Sequence, residues 1–125
     1  MKRFLLVAVV VISLAVPMLA HHGTNISYDH NKPTVVEVTV TEFIWQNPHC
    51  QLFFDVKTPS GAEKWAGEMS SPGSLAKQGN WTRRTLQVGD QLKLTIFPSK
   101  AGTHVGLVTK VEKDGRVIMN DREPQ

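Results

Sequence analysis

The chain has 125 residues, with 14 lysines and arginines against 11 aspartates and glutamates, and a single cysteine. This length suits one small domain, and a lone cysteine excludes an intramolecular disulfide, so the domain must be stable through its apolar core. Without Lys2 and Arg3 the balance is 12 basic against 11 acidic residues, a net charge of +1. Such a small charge gives little attraction for nucleic acid or an anionic membrane surface, and we expect neither as a partner.

The first twenty residues have the layout of a secretory signal peptide. Lys2 and Arg3 precede an uncharged apolar run over residues 4–16, and residues 17–20 follow as a cleavage region. The run is shorter than the roughly 20 apolar residues that a spanning helix needs. We therefore expect cleavage after Ala20 and a periplasmic or secreted protein that leaves the membrane. An uncleaved anchor, or a cut nearby, is the alternative.

A polar arm over residues 21–33 leads into a β-domain over residues 34–120, and residues 121–125 form a polar tail. Residues 34–44 alternate between apolar and polar, which predicts a half-buried strand. Its predicted inner face carries Val36, Val38, Val40 and Ile44, and its outer face Glu37, Thr39, Thr41 and Phe43.

The remaining elements follow in order. A second strand is predicted at about 49–57, with Cys50, Leu52, Phe54 and Val56 inward, and a third around 63–68 with Trp65 inward. Ser71 and Pro72 predict the cap and first residue of a short helix that ends near Gly79. A fourth strand places Leu92, Leu94 and Ile96 inward, and a fifth places Val105, Leu107 and Val111 on one face. Asp114-Gly115 predicts a hairpin into a short terminal strand.

This order of elements predicts the fold class. Three strands, one short helix and two or three more strands indicate a mainly β protein with a small OB-fold-like barrel of five to six strands, the helix lying between strands three and four. Closure of the barrel removes most open strand edges, which favours it for a small β-protein. A β-sandwich is the alternative.

Several short motifs also occur in a fixed order: His21-His22-Gly23, Trp45-x-Asn47-Pro48-His49, Trp65-x-x-Glu68, Ser71-Pro72-x-x-Leu75, Gly79-x-Trp81-Thr82 and Val88-Gly89-Asp90. Together they resemble a family of small exported bacterial proteins catalogued as domain of unknown function 6152. The resemblance covers nearly the whole chain after residue 20. It implies an exported small β-domain and assigns it no activity.

The arm begins with two histidines that could bind a metal. After cleavage at Ala20, the α-amine and imidazole of His21 would lie on one residue beside the imidazole of His22. Nitrogen ligands of this kind suit Cu(II), Zn(II) and Ni(II), and the usual affinity order favours Cu(II). The alternative is a solvated arm whose histidines bind nothing.

A stable metal site would need further ligands from the domain. His49 and His104 are the candidates because strand alternation predicts that both face outward. The alternatives are that His49 caps the turn after Pro48 and that His104 is an ordinary surface residue. Cys50 is predicted to face away from His49 as a small core residue.

Three aromatic residues suggest a different site. Phe43, Trp45 and Phe53 fall on outward positions, as does Phe97, and outward aromatic rings on a barrel can bind a ligand or a partner protein. The alternative is that the helix or the arm covers these rings.

The sequence contains no catalytic motif of the hydrolase, phosphate-binding or metalloprotease type. The leading hypothesis is therefore a non-enzymatic, monomeric exported binding protein that takes up copper through His21 and His22, with His49 or His104. The second is an accessory module without metal that binds another exported protein or a small ligand through Phe43, Trp45 and Phe53. A hydrolase or oxidoreductase is a third class.

Overall fold

A computed structural model describes residues 26–121 of the chain. The predicted signal peptide, His21, His22 and residues 122–125 lie outside the described residues. The elements in chain order are β1 (Thr34–Ile44), β2 (Gln51–Thr58), β3 (Gly61–Glu68), α1 (Pro72–Gly79), β4 (Gln91–Pro98), β5 (Val105–Lys113) and β6 (Arg116–Asn120). Each predicted strand and the predicted helix is present.

Five of these strands close into a barrel. β1 pairs antiparallel with β2 and β4, β2 pairs with β3, and β4 pairs with β5. A short parallel pairing of residues 66–68 in β3 with residues 105–107 in β5 completes the closure. β6 pairs antiparallel with β5 and extends the sheet beyond the barrel. The predicted OB-type barrel with one short helix between β3 and β4 is confirmed.

β5 lies at a junction in this sheet. One edge of β5 pairs with β4. The other edge pairs first with β3, over residues 105–107, and then with β6 from Lys110 onward. Val108 and Thr109 therefore lie where β3 departs and β6 begins. This junction borders the cleft described in the next subsection.

The core fills the barrel with apolar side chains from alternate strand positions. Its fully buried members include Leu52 and Phe54 from β2, Leu94 and Ile96 from β4, and Leu75 from the helix. These inward positions in β2 and β4 confirm the alternation predicted from the sequence. Cys50, just before β2, is also fully buried, as predicted.

A β-bulge changes the predicted faces of β1. Val40 lies opposite Phe54, but Glu42 lies opposite Phe53 and Phe43 opposite the buried Leu52, so one extra residue enters β1 between Val40 and Glu42. Because a single inserted residue exchanges the two faces of everything beyond it, the predicted outward position of Phe43 is wrong. Phe43 is half-buried and packs against the core.

A second irregularity lies in the β4–β5 pairing, where Thr95 pairs with Lys110 and Ile96 pairs with Val108. Val108 and Val111 are therefore both buried, whereas Leu107, predicted to share a face with Val111, is only half-buried. The prediction of one inward face for the whole of β5 is wrong for the same physical reason.

The helix begins and ends as predicted. The Ser71 side chain accepts a hydrogen bond from the backbone N–H of Ser74, Pro72 is in the first turn, and Asn80 ends the helix in a left-handed conformation. Just beyond it, the indole N–H of Trp81 donates to the carbonyl oxygen of Ile118 in β6 at 2.8 Å. The helix segment is thus tied to the last strand.

An ion pair ties the turn before β4 to β5, and it predicts a pH dependence of stability. The Asp90 carboxylate accepts from the Lys113 ammonium at 2.9 Å and from the Gln87 backbone N–H at 2.9 Å. Burial alone would raise the pKa of Asp90, but these two partners outweigh it and hold the pKa below its usual value. A carboxyl group with a lowered folded-state pKa stabilises the fold above its unfolded-state pKa, about 3.9, and the stabilisation is lost as the pH falls through the folded-state pKa.

We therefore expect Asp90→Asn to lower the free energy of unfolding at neutral pH by roughly 1–2 kcal/mol, in the lower part of the range of about 1.5–3 kcal/mol for hydrogen bonds to charged groups or just below it, because this pair is partly exposed. Urea unfolding at a series of pH values measures it. The difference between the two proteins should shrink as the pH falls below about 3.9. An equal difference at all pH values would contradict this role of the carboxylate.

Candidate functional site

The described part of the arm lies across the end of β4. Tyr28 forms a bridge with Ser99, the backbone N–H of Asp29 donates to Pro98 at 2.8 Å, and that of Lys100 donates to Ser27 at 2.8 Å. These bonds fix residues 27–29 as a short antiparallel extension of the sheet. The arm therefore reaches the domain along a defined path.

The arm also covers an aromatic residue that was predicted to face outward. The ring of His30 lies 4.8 Å from that of Phe97, centroid to centroid, and Phe97 is only 8% exposed. Phe97 keeps the outward face that alternation predicts, opposite to that of Ile96, but the arm covers its ring, as the alternative allowed.

The arm delivers Tyr28 to a histidine and a carboxylate. The Tyr28 hydroxyl donates to Oε2 of Glu68 at 2.5 Å, and Nε2 of His49 lies 3.6 Å from Oε1 of the same carboxylate. We call these three residues the His49 corner. The side chain of His49 is 54% exposed and that of Glu68 is 34% exposed, so solvent reaches both.

Local backbone pairing explains why His49 and Glu68 meet. Glu68 is the last residue of β3, and His49 lies in the loop between β1 and β2, two residues before β2 begins. The N–H of Cys50 donates to Ser70 at 3.1 Å and the N–H of Met69 donates to Cys50 at 2.9 Å, so the β2–β3 pairing continues past both strand ends. His49 is therefore held beside the end of β3.

Tyr28 is protonated in this arrangement. Burial raises the pKa of Tyr28 well above its usual value, and the hydrogen bond to Glu68 and the negative charge of that carboxylate raise it further. The phenol is thus a hydrogen-bond donor to Glu68 and leaves the carboxylate charge in place. The corner presents one imidazole beside one carboxylate.

A cleft of about 340 Å³ adjoins the corner, at the junction of β3, β5 and β6. His49 and Glu68 line one part of it, and Ser70, Thr109 and Asp121 line another. The Ser70 hydroxyl donates to the Asp121 carboxylate at 2.5 Å, which joins the end of β3 to the residue after β6. Ser70 is thereby engaged with Asp121.

His104 lies in a second, separate cluster. Its ring stacks on that of Trp65, with centroids 4.8 Å apart and planes 10° apart, and its Nε2 lies 3.7 Å from Oε2 of Glu63. The indole N–H of Trp65 donates to the same oxygen at 3.2 Å. Trp65 also packs against the core, as its predicted inward position requires.

The structure does not bring His49 and His104 together. They contact different carboxylates, Glu68 and Glu63, which are five residues apart in β3 and hence about 16 Å apart along the strand, on opposite faces. Within residues 26–121 no group of three or more histidine, cysteine, aspartate or glutamate side chains is arranged to hold a metal ion. A metal bound at the His49 corner would need ligands from beyond those residues.

The Cys50 thiol, next to His49 in sequence, belongs to the hydrophobic core. Cys50 is fully buried, and burial raises its pKa, against a smaller opposite effect of the backbone hydrogen bond from Gln46. A buried, protonated thiol is a poor metal ligand because metals bind the thiolate. The prediction of Cys50 as a core residue is confirmed.

The three residues of the predicted aromatic face, Phe43, Trp45 and Phe53, are all half-buried, and two of them pack against the core. Trp45, like Phe43, is half-buried and packs against the core, with its ring 6.1 Å from that of Phe43. The Phe43 ring also lies 6.2 Å from Trp81, so it belongs to an internal aromatic cluster. The predicted outward position of Trp45, which follows β1, is therefore wrong as well. Phe53 keeps its outward position, opposite Glu42 and Ala66.

Sequence reasoning missed Tyr28 as a member of the site and found no support for pairing Glu68 with His49. One signal was available for the first of these. Tyr28 is the only tyrosine of the chain and lies within an otherwise polar arm, where a large ring usually has a packing or hydrogen-bonding partner. The partnership itself spans 40 positions in sequence, which no local pattern reveals.

Fold and site together define a class of protein: a small OB-type barrel with a covering N-terminal arm and an exposed histidine–carboxylate corner. Residues 8–110 match a family described as "Family of unknown function (DUF6152)". The match covers well over half of the chain, so the chain belongs to this family, as the resemblance predicted. No curated protein and no solved structure matches it.

Among residues 26–121, no helix is both long and apolar enough to cross a membrane.

Proposed function

We propose that this protein is an exported binding protein that takes up Cu(II) at the His49 corner, together with the α-amine of His21 and the imidazoles of His21 and His22. Support for export comes from the basic start at Lys2 and Arg3, the apolar run over residues 4–16 and Ala20 at the proposed cut. In this proposal the function of the protein is to bind the metal ion, and it catalyses no reaction.

The observation that carries the proposal is the place where the arm enters the structure. The hydroxyl of Tyr28 is bonded to the carboxylate that contacts His49. Seven peptide links separate His21 from Tyr28, a length that spans at most about 25 Å when fully extended. The proposed amino-terminal ligands are thus joined, over this length at most, to the residue that bonds the His49-contacting carboxylate, whereas the carboxylate beside His104 is bonded by Trp65.

The proposed nitrogen donors, the imidazoles and the α-amine, suit Cu(II). Imidazole nitrogen is a preferred ligand of Cu(II), which also binds divalent sites of this type more strongly than Zn(II) or Ni(II). The exposed ring of His49 can reach an ion without rearrangement of the core. The Glu68 carboxylate places a negative charge beside a dication, which lowers the electrostatic cost of binding. His104 has its ring against Trp65 and is left out of the proposed set.

The proposal predicts that the free amino terminus is essential. Protein that begins at His21 should take up one Cu(II), whereas protein with one methionine added before His21 should bind at least about 100-fold more weakly. Loss of an outer-shell partner already costs about 10–100-fold in metal affinity, and loss of a direct ligand should cost no less. Competition titration with a copper chelator of known affinity measures both constants.

Circular dichroism and thermal unfolding of the two metal-free proteins provide the control, since one residue added to the arm should leave the barrel unchanged. Equal copper affinity in both forms would rule out the amino-terminal ligand. Failure of the protein that begins at His21 to bind Cu(II) would rule out the proposed function.

A further inference from the structure

The arginines of residues 26–121 are concentrated in one region of the surface. All three of them, Arg83, Arg84 and Arg116, lie in or beside the loop between α1 and β4, whereas the lysines are spread from the arm to β5. The three arginine side chains are exposed, and none forms an ion pair with another of the described residues. Three guanidinium groups are thus available to an anion.

Two contacts hold the loop between α1 and β4 beside the last two strands. The Trp81 indole donates to Ile118 in β6, and the Lys113 ammonium in β5 donates to the carbonyl oxygen of Thr85 at 3.5 Å. Between these contacts, residues 82–85 form a tight turn that a backbone hydrogen bond of 3.0 Å closes from its last residue to its first. The two neighbouring arginines are the central residues of this turn.

Arg116 reaches the same region from β6. It pairs with Lys113 across the β5–β6 hairpin. Residues directly opposite each other in an antiparallel pair place their side chains on the same face, with Cβ atoms about 5 Å apart. Arg116 therefore shares the face on which Lys113 contacts Thr85. We call Arg83, Arg84 and Arg116 the arginine patch.

The arginine patch keeps a positive charge despite two carboxylates nearby. Asp90 accepts from the Lys113 ammonium at 2.9 Å, so these two charges offset each other. In the loop over residues 80–90 and the hairpin turn over residues 114–115, Asp114 is then the one carboxylate left against three arginines, a local charge of +2. The small net charge of the whole chain therefore underestimates the attraction of this region for an anionic surface.

We propose that the arginine patch docks the protein on the surface of an anionic phospholipid membrane. A guanidinium group is always charged, and its planar fork matches the oxygens of a phosphate. Val88, in the same loop, is 75% exposed and offers an apolar side chain beside these charges. Basic residues next to exposed apolar ones are typical of surfaces that bind at the interface of an anionic bilayer.

The surroundings of the patch favour a membrane over other partners that carry phosphate. Proteins that bind single-stranded nucleic acid stack its bases on exposed aromatic rings, and the aromatic residue of this loop, Trp81, is buried. A free phosphate ion would need a site that surrounds it, and the cleft at the His49 corner contains none of the three arginines. A membrane instead presents a plane of phosphates to an exposed turn and a strand edge.

Sedimentation with large vesicles of phosphatidylglycerol and phosphatidylcholine, without copper, tests the proposal. Protein that begins at His21 is used, so that the apolar run over residues 4–16 does not contribute to binding. Binding should increase with the fraction of phosphatidylglycerol and fall as the salt concentration rises. Replacing all three arginines with glutamine should weaken it about 100-fold, since each basic residue near an anionic membrane contributes about fivefold.

A second triple variant is the matched control, because it removes the same charge from the opposite end of the barrel. β4 runs antiparallel to β1, so the patch lies at the end where β4 begins, and the control lysines lie at the end where β1 begins. The control changes are Lys32→Gln, Lys57→Gln and Lys100→Gln. They should weaken binding by less than about fivefold. Equal losses in the two triple variants, or no binding of the unmodified protein to vesicles rich in phosphatidylglycerol, would overturn the proposal.

A gain of binding is also expected, and misfolding cannot produce it. Asp114→Asn removes the nearby negative charge and should strengthen vesicle binding by up to about fivefold, while asparagine suits the positive φ of 51° at this turn. Unchanged or weaker binding in this variant would contradict the role of the patch. Circular dichroism checks the fold of every variant.

The exposed valines distinguish a membrane from another anionic partner. Val88→Ser should weaken vesicle binding by about fivefold, whereas Val35→Ser, at a valine that is 58% exposed in β1, should leave it unchanged. An unchanged affinity in Val88→Ser would overturn the membrane as the partner. So would release from the vesicles by millimolar inorganic phosphate, or tighter binding to polyglutamate or DNA at the same salt concentration, which would assign the patch to a free anion, an acidic protein or a nucleic acid.

Discussion

Replacing Phe43 with alanine should lower the free energy of unfolding by about 3 kcal/mol, whereas the same replacement at Phe53 should cost no more than about 1 kcal/mol. The sequence pattern makes the two residues look alike, since both lie on the predicted outer face of neighbouring strands. The structure separates them. Phe43 packs against the core beside Trp45 and Trp81, and Phe53 does not belong to that cluster.

The physical reason is the bulge in β1. It places Phe43 opposite the buried Leu52, so truncation of its ring leaves a cavity between Trp45, Trp81 and the barrel. Cavities of this kind add to the lost transfer free energy of the ring and account for the large cost of phenylalanine-to-alanine changes in cores. Phe53 is also half-buried, but it lies opposite Glu42 and Ala66 and does not pack against the core, so its truncation leaves no cavity there.

Urea unfolding of the two variants, followed by circular dichroism, measures the difference. For a domain of about 100 residues, each kcal/mol shifts the melting temperature by roughly 4–8 °C, so the two variants should differ clearly in thermal unfolding as well. Equal loss of stability in both would contradict the assignment of Phe43 to the core.

A second large effect is expected at the two exposed histidines. In protein that begins at His21, His49→Ala should weaken Cu(II) binding by at least about 100-fold, and His104→Ala should leave it unchanged. The two residues form a matched pair. Their side chains are similarly exposed, 54% and 51%, and each lies within 4 Å of one glutamate.

What differs between the two histidines is the second partner of the carboxylate that each one contacts. His49 shares its carboxylate with Tyr28, and His104 shares its carboxylate with Trp65. Competition titration with a copper chelator distinguishes the variants, and circular dichroism checks that both fold. Equal weakening in the two variants would mean that copper does not distinguish the two histidines, and a loss confined to His104→Ala would move the site to the Trp65 cluster.

Local chemistry made much of the fold predictable. The helix could be placed because Ser71, Pro72 and Gly79 act through bonds within a few residues of themselves. The alternation in β2 and β4 was predictable because these strands keep one face inward from end to end. The helix-capping residues and the strand alternation each depend on a segment of only about ten residues.

The bulges were not predictable in this way. An extra residue between Val40 and Glu42 leaves no mark in composition, because Phe43 and Ile44 are both apolar and either could face inward. Which of them does so depends on the pairing with Leu52 in another strand. The half-buried position of Leu107 in β5 was unpredictable for the same reason, because it depends on the pairing with β4.

The contacts of the His49 corner were even less predictable from the sequence than the bulges. His49 could be selected from residue type and predicted exposure, and the structure confirms that it is exposed. Its partnership with Glu68 depends on backbone pairing past the ends of β2 and β3, and that of Glu68 with Tyr28 depends on the path of the arm over β4. These contacts are properties of the folded chain.

The hydrogen bond from Trp81 to Ile118 affects whether a second protein can add a strand to the edge of β6. β6 pairs on one side only, with β5, and an unpaired strand edge is where a second chain can add a strand of its own. The Trp81 indole occupies a carbonyl on β6, and α1 packs against the same strand. Addition of a strand at β6 would therefore have to displace the buried Trp81 from this edge.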